Sequence, residues 1–240
     1  MRDDLMIRNE TKADYRTVEE ITRKAFWNLY IPGGIEHYLV HVMRAHEDFI
    51  PELDLVIALN QQVIGNIMYT KTTLVDESGD KKKILTFGPV CILPEYQRKG
   101  YGKKLIEYSF EKAAALGYEV IVIFGNPGNY VSRGFKSCKK YNVCLENGTF
   151  PAAMMVKELK PGALDGRKWI YYESPCLLYT SRGLLHLSLL RRGGLKGIVC
   201  RRFLRLSPRR GGRGGKNPRV CRFAGRFGRG DRDCDRGGRR

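Results

Sequence analysis

The sequence predicts a mixed α/β fold in one domain, followed by a C-terminal segment of different composition. Apolar residues recur at helical spacing in three segments, and short apolar runs typical of strands lie between and after them. The charge is uneven, because 19 of the 43 Lys and Arg residues follow Pro175, where only 3 acidic residues stand. The net charge of +18 is therefore a property of the end of the chain, and the first 175 residues are nearly neutral.

The N-terminal part predicts one strand and two helices. "LMIRNE" alternates as a short strand does, and Thr11 or Asp14 is suited to cap the helix that follows. The apolar residues of this first helix recur at steps of three and four: Tyr15, Val18, Ile21, Thr22 and Ala25. After a break at "IPGG", the segment "IEHYLVHVMRAHEDF" continues the helical spacing and predicts the second helix.

The middle of the chain predicts a three-stranded meander. "LVIAL" and "VIGNIMYTKTTLV" flank a polar turn and read as a hairpin, and "ILTFGPVCIL" follows a charged turn as the third strand. The third strand contains Gly88 and Pro89. Because proline cannot donate to a β-ladder, we expect a bulge or a local loss of pairing at this point.

The remaining elements complete a mixed sheet. A helix over 103–116 ends at Gly117, and "YEVIVIFG" is the continuous apolar run of a strand buried on both faces. "NPGNYVSRGF" predicts a short helix, "YNVCLE" and "AAMMVKEL" predict strands, and "RKWIYY" predicts an edge strand. The expected order is β-α-α-β-β-β-α-β-α-β-β, an α+β arrangement around one mixed sheet.

The loop "PEYQRKGYGKKL" carries the main chemical signal. It lies between a predicted strand and a helix N-terminus, where the first backbone amides lack partners and the helix dipole favours an anion. Gly100 and Gly102 allow a tight turn and a close approach of backbone to ligand. Arg98, Lys99 and Lys103 add positive charge. The pattern predicts a phosphate-binding loop, although a solvated basic turn fits the same residues.

Two motifs give this segment a family resemblance. Gln97-Arg98-Lys99-Gly100-Tyr101-Gly102 matches the Q/R-x-x-G-x-G/A signature of the GCN5-related N-acetyltransferase (GNAT) superfamily. Downstream, Tyr130-Val131-Ser132-Arg133-Gly134-Phe135 resembles the Tyr-x-x-x-Gly-Phe element of the same family. The resemblance covers residues 5–160 approximately. It implies an acetyltransferase that moves an acetyl group from acetyl-CoA to a primary amine by direct attack in a ternary complex.

The resemblance also implies roles for single residues. The loop would hold the pyrophosphate, and the strand before it would pair its backbone with the pantetheine arm. The implied cofactor-binding residues are Val90, Cys91, Ile92, Gln97, Arg98, Lys99, Gly100, Tyr101, Gly102, Lys103 and Asn126. Tyr130 would donate a proton to the leaving thiolate. A packing role for Tyr130 and a turn role for Asn126 remain open.

A general base is not identified by the sequence. About one alkyl amine in a thousand is unprotonated at neutral pH, so a proton must be removed before attack. The candidates on or beside the second helix are Glu36, His37, His41, His46 and Glu47, each of which could equally be an ordinary surface or core residue. Cys91 could carry the acyl group, but a buried strand cysteine is favoured. No metal site is expected.

The segment 176–240 differs from the predicted acetyltransferase domain, 1–175. It is rich in Arg and Gly, and Cys176 to Ser181 resemble the translated end of a transposon adapter used in sequencing libraries. We expect this segment to be non-native and disordered, while a genuine RNA-binding tail is the alternative. A non-catalytic acyl-CoA-binding module is the second alternative function.

The remaining sequence features concern location and partners. The chain opens without the apolar region of a secretory signal, and its apolar runs are too short to span a bilayer. Its cysteines lack metal-type spacing. We expect a cytoplasmic protein without a membrane partner. Nucleic acid is an expected partner only if the tail is genuine, and a homodimer is left open.

Overall fold

The computed structural model describes residues 4–29 and 32–177. These residues form nine strands and four α-helices around one sheet. The strands are β1 (Leu5–Asn9), β2 (Leu55–Leu59), β3 (Gln62–Asp76), β4 (Lys81–Ile92), β5 (Val120–Phe124), β6 (Lys136–Ser137), β7 (Val143–Cys144), β8 (Met154–Glu158) and β9 (Trp169–Tyr172). The helices are α1 (Tyr15–Phe26), α2 (Glu36–Met43), α3 (Tyr101–Ala115) and α4 (Pro127–Tyr130).

The strands form one mixed sheet in the order β1-β2-β3-β4-β5-β8-β6, with β9 beside β3 and β7 beside β9. Strands β1 to β4 are an antiparallel meander, and β4 and β5 are parallel, as a connection through α3 allows. The predicted mixed α/β fold and its element order are confirmed. Strand β7 lies within the predicted strand "YNVCLE", whereas the short strand β6 was not predicted.

Helices cover both faces of this sheet. On one face, Thr22 of α1 has its hydroxyl 3.4 Å from the thiol of Cys91. On the other face, the Tyr69 hydroxyl of β3 lies 2.7 Å from the hydroxyl of Ser109 in α3. Asn66 pairs with Cys91, and Asn66 and Tyr69 are an odd number of residues apart, so their side chains point to opposite faces. The sheet is therefore buried between α1 and α2 on one side and α3 on the other.

The predicted irregularity at Gly88 and Pro89 is confirmed. Ile67 pairs with Val90 and Tyr69 pairs with Phe87, so two residues of β4 lie opposite one residue of β3. The Gly88–Pro89 peptide bond is cis. Within the described residues, β4 and β5 pair at one position, Leu85 with Ile121. The two strands are therefore not joined along the second half of β4, and the sheet has an opening there.

Several element boundaries differ from the prediction. The prediction that "RKWIYY" forms an edge strand is wrong, because β9 pairs with both β3 and β7. Helix α3 begins at Tyr101, two residues before the predicted start, because left-handed Gly100 directly precedes its first turn. Helix α2 ends at Met43 although the apolar spacing continues, and a turn follows it.

A buried charge cluster joins the first strand to both N-terminal helices. The Arg44 guanidinium donates to both carboxylate oxygens of Glu10, at 2.7 and 2.9 Å, and to Glu19 at 2.8 Å. It also stacks over the ring of Tyr15, 4.0 Å from the centroid. The Glu10 side chain is fully buried. Separating these partners would leave an unpaired buried charge. The cluster therefore holds α1 and α2 in place against the end of β1.

Asp54 is the acid beside this cluster. Asn66 donates to its carboxyl at 2.9 Å, and Asp54 itself is buried. Burial, together with a hydrogen bond to Glu10 and the negative charge of Glu10, raises the pKa of Asp54 to about 9. The Asp54 carboxyl is therefore protonated at neutral pH. It can donate to Glu10 without adding a second negative charge.

Two further observations concern membrane-spanning helices and the start of the C-terminal segment. None of its helices is long and apolar enough to cross a membrane. Cys176 and Leu177, the first two residues of the segment expected to be non-native, are buried against the core. The expectation of disorder for the rest of 176–240 lies outside the described residues.

Candidate active site

The site is built around the loop that connects β4 to α3. After β4 ends at Ile92, residues Pro94–Tyr96 make one 3₁₀ turn. The side-chain amide of Gln97 then donates back to the Ile92 carbonyl at 2.9 Å. Arg98 and Gly100 have φ values of 61° and 89°. Glycine adopts this left-handed conformation at little cost, whereas Arg98 is a non-glycine residue held in it. Gln97 thus fixes the start of a tight loop that ends at the helix.

The loop presents a row of backbone donors. Within the described residues, the six N–H groups from Arg98 to Lys103 have no hydrogen-bond acceptor. Helix α3 has no side-chain cap at Gly100 and no acidic residue in its first turn. A Cβ built on Gly100 meets nothing within 4 Å, so open space lies beside the loop. Because such amides converge on a helix N-terminus, the arrangement can bind an anion with several oxygens.

Basic side chains surround this row of donors without filling it. The Lys99 ammonium lies over the ring of Tyr96, 5.4 Å from its centroid, and Lys103 is 3.8 Å from Glu107 of the next turn. Tyr101 packs edge-on against Tyr96, with ring centroids 6.3 Å apart. Exposed charges of this kind can attract an anion over a distance, whereas the backbone donors can make directed hydrogen bonds to it.

The opening between β4 and β5 lies directly before this loop. The Leu93 N–H donates to Ile64 of β3 at 2.8 Å. In an antiparallel ladder the backbone groups of successive residues point alternately to the two neighbouring strands. The backbone N–H and C=O of Cys91 therefore also point towards β3, whereas those of Val90 and Ile92 point towards the opening. The backbone of Val90 and the N–H of Ile92 can therefore pair with an extended ligand. Cys91 is instead a buried core thiol, and burial raises its pKa to about 11, which disfavours a nucleophilic thiolate.

Tyr130 stands at the far side of the opening, at the end of α4. Its ring packs against Phe87 of β4 and against Phe135, with centroids 5.9 and 5.7 Å apart. Phe135 also contacts Phe110 of α3, at 5.8 Å. We call Tyr69, Phe87, Phe110, Tyr130 and Phe135 the aromatic cluster. It connects the candidate acid to the helix that carries the loop.

The residues just after β5 fit this position of Tyr130. A Cβ on Gly125 would lie 2.6 Å from the Tyr130 ring, so glycine is needed there for the ring to approach. Asn126, an implied cofactor residue, accepts from the Gly128 N–H at 2.9 Å and caps α4. The turn role left open for Asn126 is therefore present in the structure.

The five candidate bases are not brought together in one place. Glu36 accepts from the Ile35 N–H at 2.9 Å, and His46 accepts from the Asp48 N–H at 3.1 Å. His41 lies on the surface, 3.0 Å from Glu19, and Glu47 is exposed. Nδ1 of His37 is buried and has no partner among the described residues. Four of the five candidate bases are therefore exposed or make hydrogen bonds to nearby backbone groups.

No three metal-ligating side chains cluster in residues 4–29 and 32–177.

Comparison with known proteins identifies the family. The model of the Acetyltransferase (GNAT) family matches residues 23–136, which include the loop, the opening and Tyr130. This chain belongs to the GNAT family. It is therefore an acyltransferase, as the two motifs imply.

Curated relatives agree with this membership. The uncharacterized N-acetyltransferase YhbS of Escherichia coli (strain K12) is 27% identical over 164 residues, which cover 68% of this chain and 92% of that protein. The uncharacterized N-acetyltransferase YjhQ of the same strain is 27% identical over 127 residues, 53% of this chain and 67% of that protein.

Solved GNAT structures share the fold. The crystal structure of Escherichia coli YhbS in complex with CoA has a TM-score of 0.59 at 24% identity and covers 70% of this chain and 90% of its own. A GNAT acetyltransferase of Brucella melitensis in complex with acetyl-CoA has a TM-score of 0.56 at 23% identity, with 72% and 97% covered.

Three features of this GNAT site were not predicted from the sequence. They are the ring of Phe87, the need for glycine at 125, and Lys157 of β8, whose ammonium donates to the Arg133 carbonyl at 3.0 Å. A lysine inside the apolar run "AAMMVKEL" was a usable signal, because a cation there must find a partner. The ring and the glycine depend on contacts between distant segments, which no local pattern encodes.

Proposed function

We propose that this chain transfers an acetyl group from acetyl-CoA to a primary amine by direct attack in a ternary complex. The observation that carries the proposal is the row of six backbone N–H groups at the start of α3, which lack acceptors among the described residues and lie beside an opening in the sheet. A donor with a pyrophosphate followed by an extended amide-containing arm fits both features. Bound acetyl-CoA would supply the acetyl group as an activated thioester.

The proposed contacts follow from this fit. The amides from Arg98 to Lys103 would hold the pyrophosphate, with Gln97 fixing the loop rather than touching the donor. Val90 and Ile92 would pair with the pantetheine arm through their backbones. Cys91 would contribute packing alone, and Asn126 would act through the cap of α4. The complexes of the two GNAT relatives with CoA and acetyl-CoA support this assignment of the donor.

Tyr130 is the proposed acid. Attack of the amine nitrogen on the thioester carbonyl forms a C–N bond, the C–S bond breaks, and the electron pair leaves on sulfur. The Tyr130 hydroxyl would donate its proton to this thiolate. A phenol with an ordinary pKa of about 10 is protonated at pH 7 and regains its proton from solvent. The amine loses its own proton to a base or to a chain of water molecules, and none of the described residues is identified as that base.

The donor site is tested by Gly100→Glu, measured by titration with acetyl-CoA. The variant places a carboxylate among the backbone donors, so we expect the Kd to rise about tenfold or more, or about 1.4 kcal/mol. Gly79→Glu is the matched control. Gly79 has the same φ of 89° and the same empty surroundings, but it lies in the turn between β3 and β4. Equal Kd values for the two variants would exclude the loop as the pyrophosphate site.

We also propose that the protein works in a reducing, cytoplasmic compartment. The four cysteines of the described part, Cys91, Cys138, Cys144 and Cys176, are free thiols, and all are buried. Free buried thiols are usual where disulfides are not formed. A homodimer remains a proposal of the same kind.

A further inference from the structure

The strongest unassigned feature near the proposed acid is Lys157 of β8. Its ammonium donates to the Arg133 carbonyl at 3.0 Å and lies over the ring of Phe110, 5.0 Å from the centroid. It forms no ion pair with a carboxylate of the described residues. Desolvation by burial lowers the pKa of Lys157. A half-buried cation without a counter-ion costs free energy, and its hydrogen bond to the Arg133 carbonyl and its contact with the Phe110 ring offset part of that cost.

The Arg133 carbonyl belongs to the turn that follows Tyr130. Residues Val131–Arg133 form this turn, and Gly134 closes it with φ of 86°. The Phe135 N–H then donates to the Tyr130 carbonyl at 3.3 Å. A shift of the turn would therefore move both the backbone of Tyr130 and the Phe135 ring that packs against it. The Lys157 ammonium ties this turn to β8.

The same ammonium joins the turn to the helix of the candidate donor site. Phe110 lies on α3, whose N-terminus carries the backbone donors, and the Phe110 ring contacts Phe135. Gly134 leaves room for this contact, since a Cβ there would lie 2.7 Å from the Lys157 Nζ. One cation thus holds the Tyr130 turn against both the sheet and α3.

We propose that Lys157 is a positioning residue that holds Tyr130 in place for proton donation, through the Arg133 carbonyl and the Phe110–Phe135 contact. Lys157 does not touch the reacting atoms. This inference rests on the proposed function for its catalytic consequence, but the position of the Tyr130 ring can be measured without any acceptor.

The first measurement is ¹⁹F NMR of the full chain labelled with 3-fluorotyrosine. The Tyr130 resonance is assigned by its absence from Tyr130→Phe. We expect Lys157→Met, which keeps the apolar stem and removes the charge, to shift or broaden this resonance and to leave most other tyrosine signals unchanged. Lys160→Met is the matched control, because Lys160 follows β8 and makes an exposed ion pair with Glu119. An unchanged Tyr130 resonance in Lys157→Met overturns the proposal.

The second measurement is turnover with acetyl-CoA and the primary amine of a test panel that the wild type acetylates fastest. We expect Lys157→Met to lower kcat about tenfold or more with little change in the KM for acetyl-CoA, and Lys157→Arg to restore part of it. In the Tyr130→Phe background, Lys157→Met should cost almost nothing more. Multiplying losses would show that Lys157 does not act through Tyr130. A wild type that acetylates no amine would instead count against the proposed function.

A second variant keeps the lysine, in case Lys157→Met does not fold. Gly134→Ala places a methyl group against the ammonium at a left-handed position, so it displaces the contact and strains the turn. Gly162→Ala carries the same kind of strain, with φ of 77° and no neighbour within 4 Å. We expect the Tyr130 resonance to move in Gly134→Ala and not in Gly162→Ala. The same response in both variants would contradict the proposal.

Discussion

Tyr130→Phe is expected to lower kcat about a hundredfold or more while the Kd for acetyl-CoA stays within about twofold. The substitution removes one hydroxyl and keeps the ring, so the packing against Phe87 and Phe135 should persist. Loss of the proton donor leaves a thiolate as the leaving group at neutral pH. The measurement is steady-state release of the CoA thiol, paired with a binding titration.

Tyr118→Phe is the matched control for this loss. Tyr118 is half-buried and precedes β5, whereas Tyr130 follows the opposite end of the same strand. We expect turnover within about twofold of the wild type for this variant. If Tyr130→Phe also turned over at the wild-type rate, Tyr130 would be a packing residue and the acid would have to be sought elsewhere.

Asp54→Asn is expected to remove a pH dependence of stability. The pKa of Asp54 is raised to about 9 in the fold, chiefly by burial, whereas an unfolded Asp has a pKa of about 3.9. The stabilising effect of this group is therefore complete below pH 4 and is lost as pH rises towards 9. Folding binds one extra proton in that interval, so the free energy of unfolding falls by about 1.4 kcal/mol per pH unit.

The asparagine can keep the local hydrogen bonds of Asp54. Its amide can donate towards Glu10, and its carbonyl can accept from Asn66 as the carboxyl does at 2.9 Å. We expect the variant to have a flatter profile from pH 5 to pH 8.5 and to be more stable than the wild type at pH 8. Asp80→Asn, at an exposed position, should follow the wild-type profile. Identical slopes for the wild type and Asp54→Asn would mean that Asp54 is ionised in the folded protein.

The fold was accessible from the sequence because its main signals are local. The helical spacing of α1, the continuous apolar run of β5 and the Gly88–Pro89 break each act within a few residues. The errors arose where distant segments decide. β9 is an interior strand because β7 pairs with its outer side, and the sequence of "RKWIYY" contains no trace of that partner.

The site divides in the same way. The loop was predictable because its glycines and the following helix are contiguous, and its function depends on backbone amides. The surroundings of Tyr130 were not predictable, since Phe87 lies on β4, Gly125 follows β5, and Lys157 of β8 contacts the turn after Tyr130. The protonated state of Asp54 was also hidden, because it depends on burial and on Glu10, which is 44 positions away in the chain.

Acetyl transfer to an amine is tested by amine-dependent release of CoA from acetyl-CoA by the full chain. The panel should contain an aliphatic diamine, an aromatic amine, an aminoglycoside and a peptide with a free α-amino group. We expect at least one amine to accelerate CoA release well above hydrolysis in buffer, with one N-acetylated product formed per CoA. Binding of acetyl-CoA without acceleration by any amine would contradict acetyl transfer and favour a non-catalytic acyl-CoA-binding module.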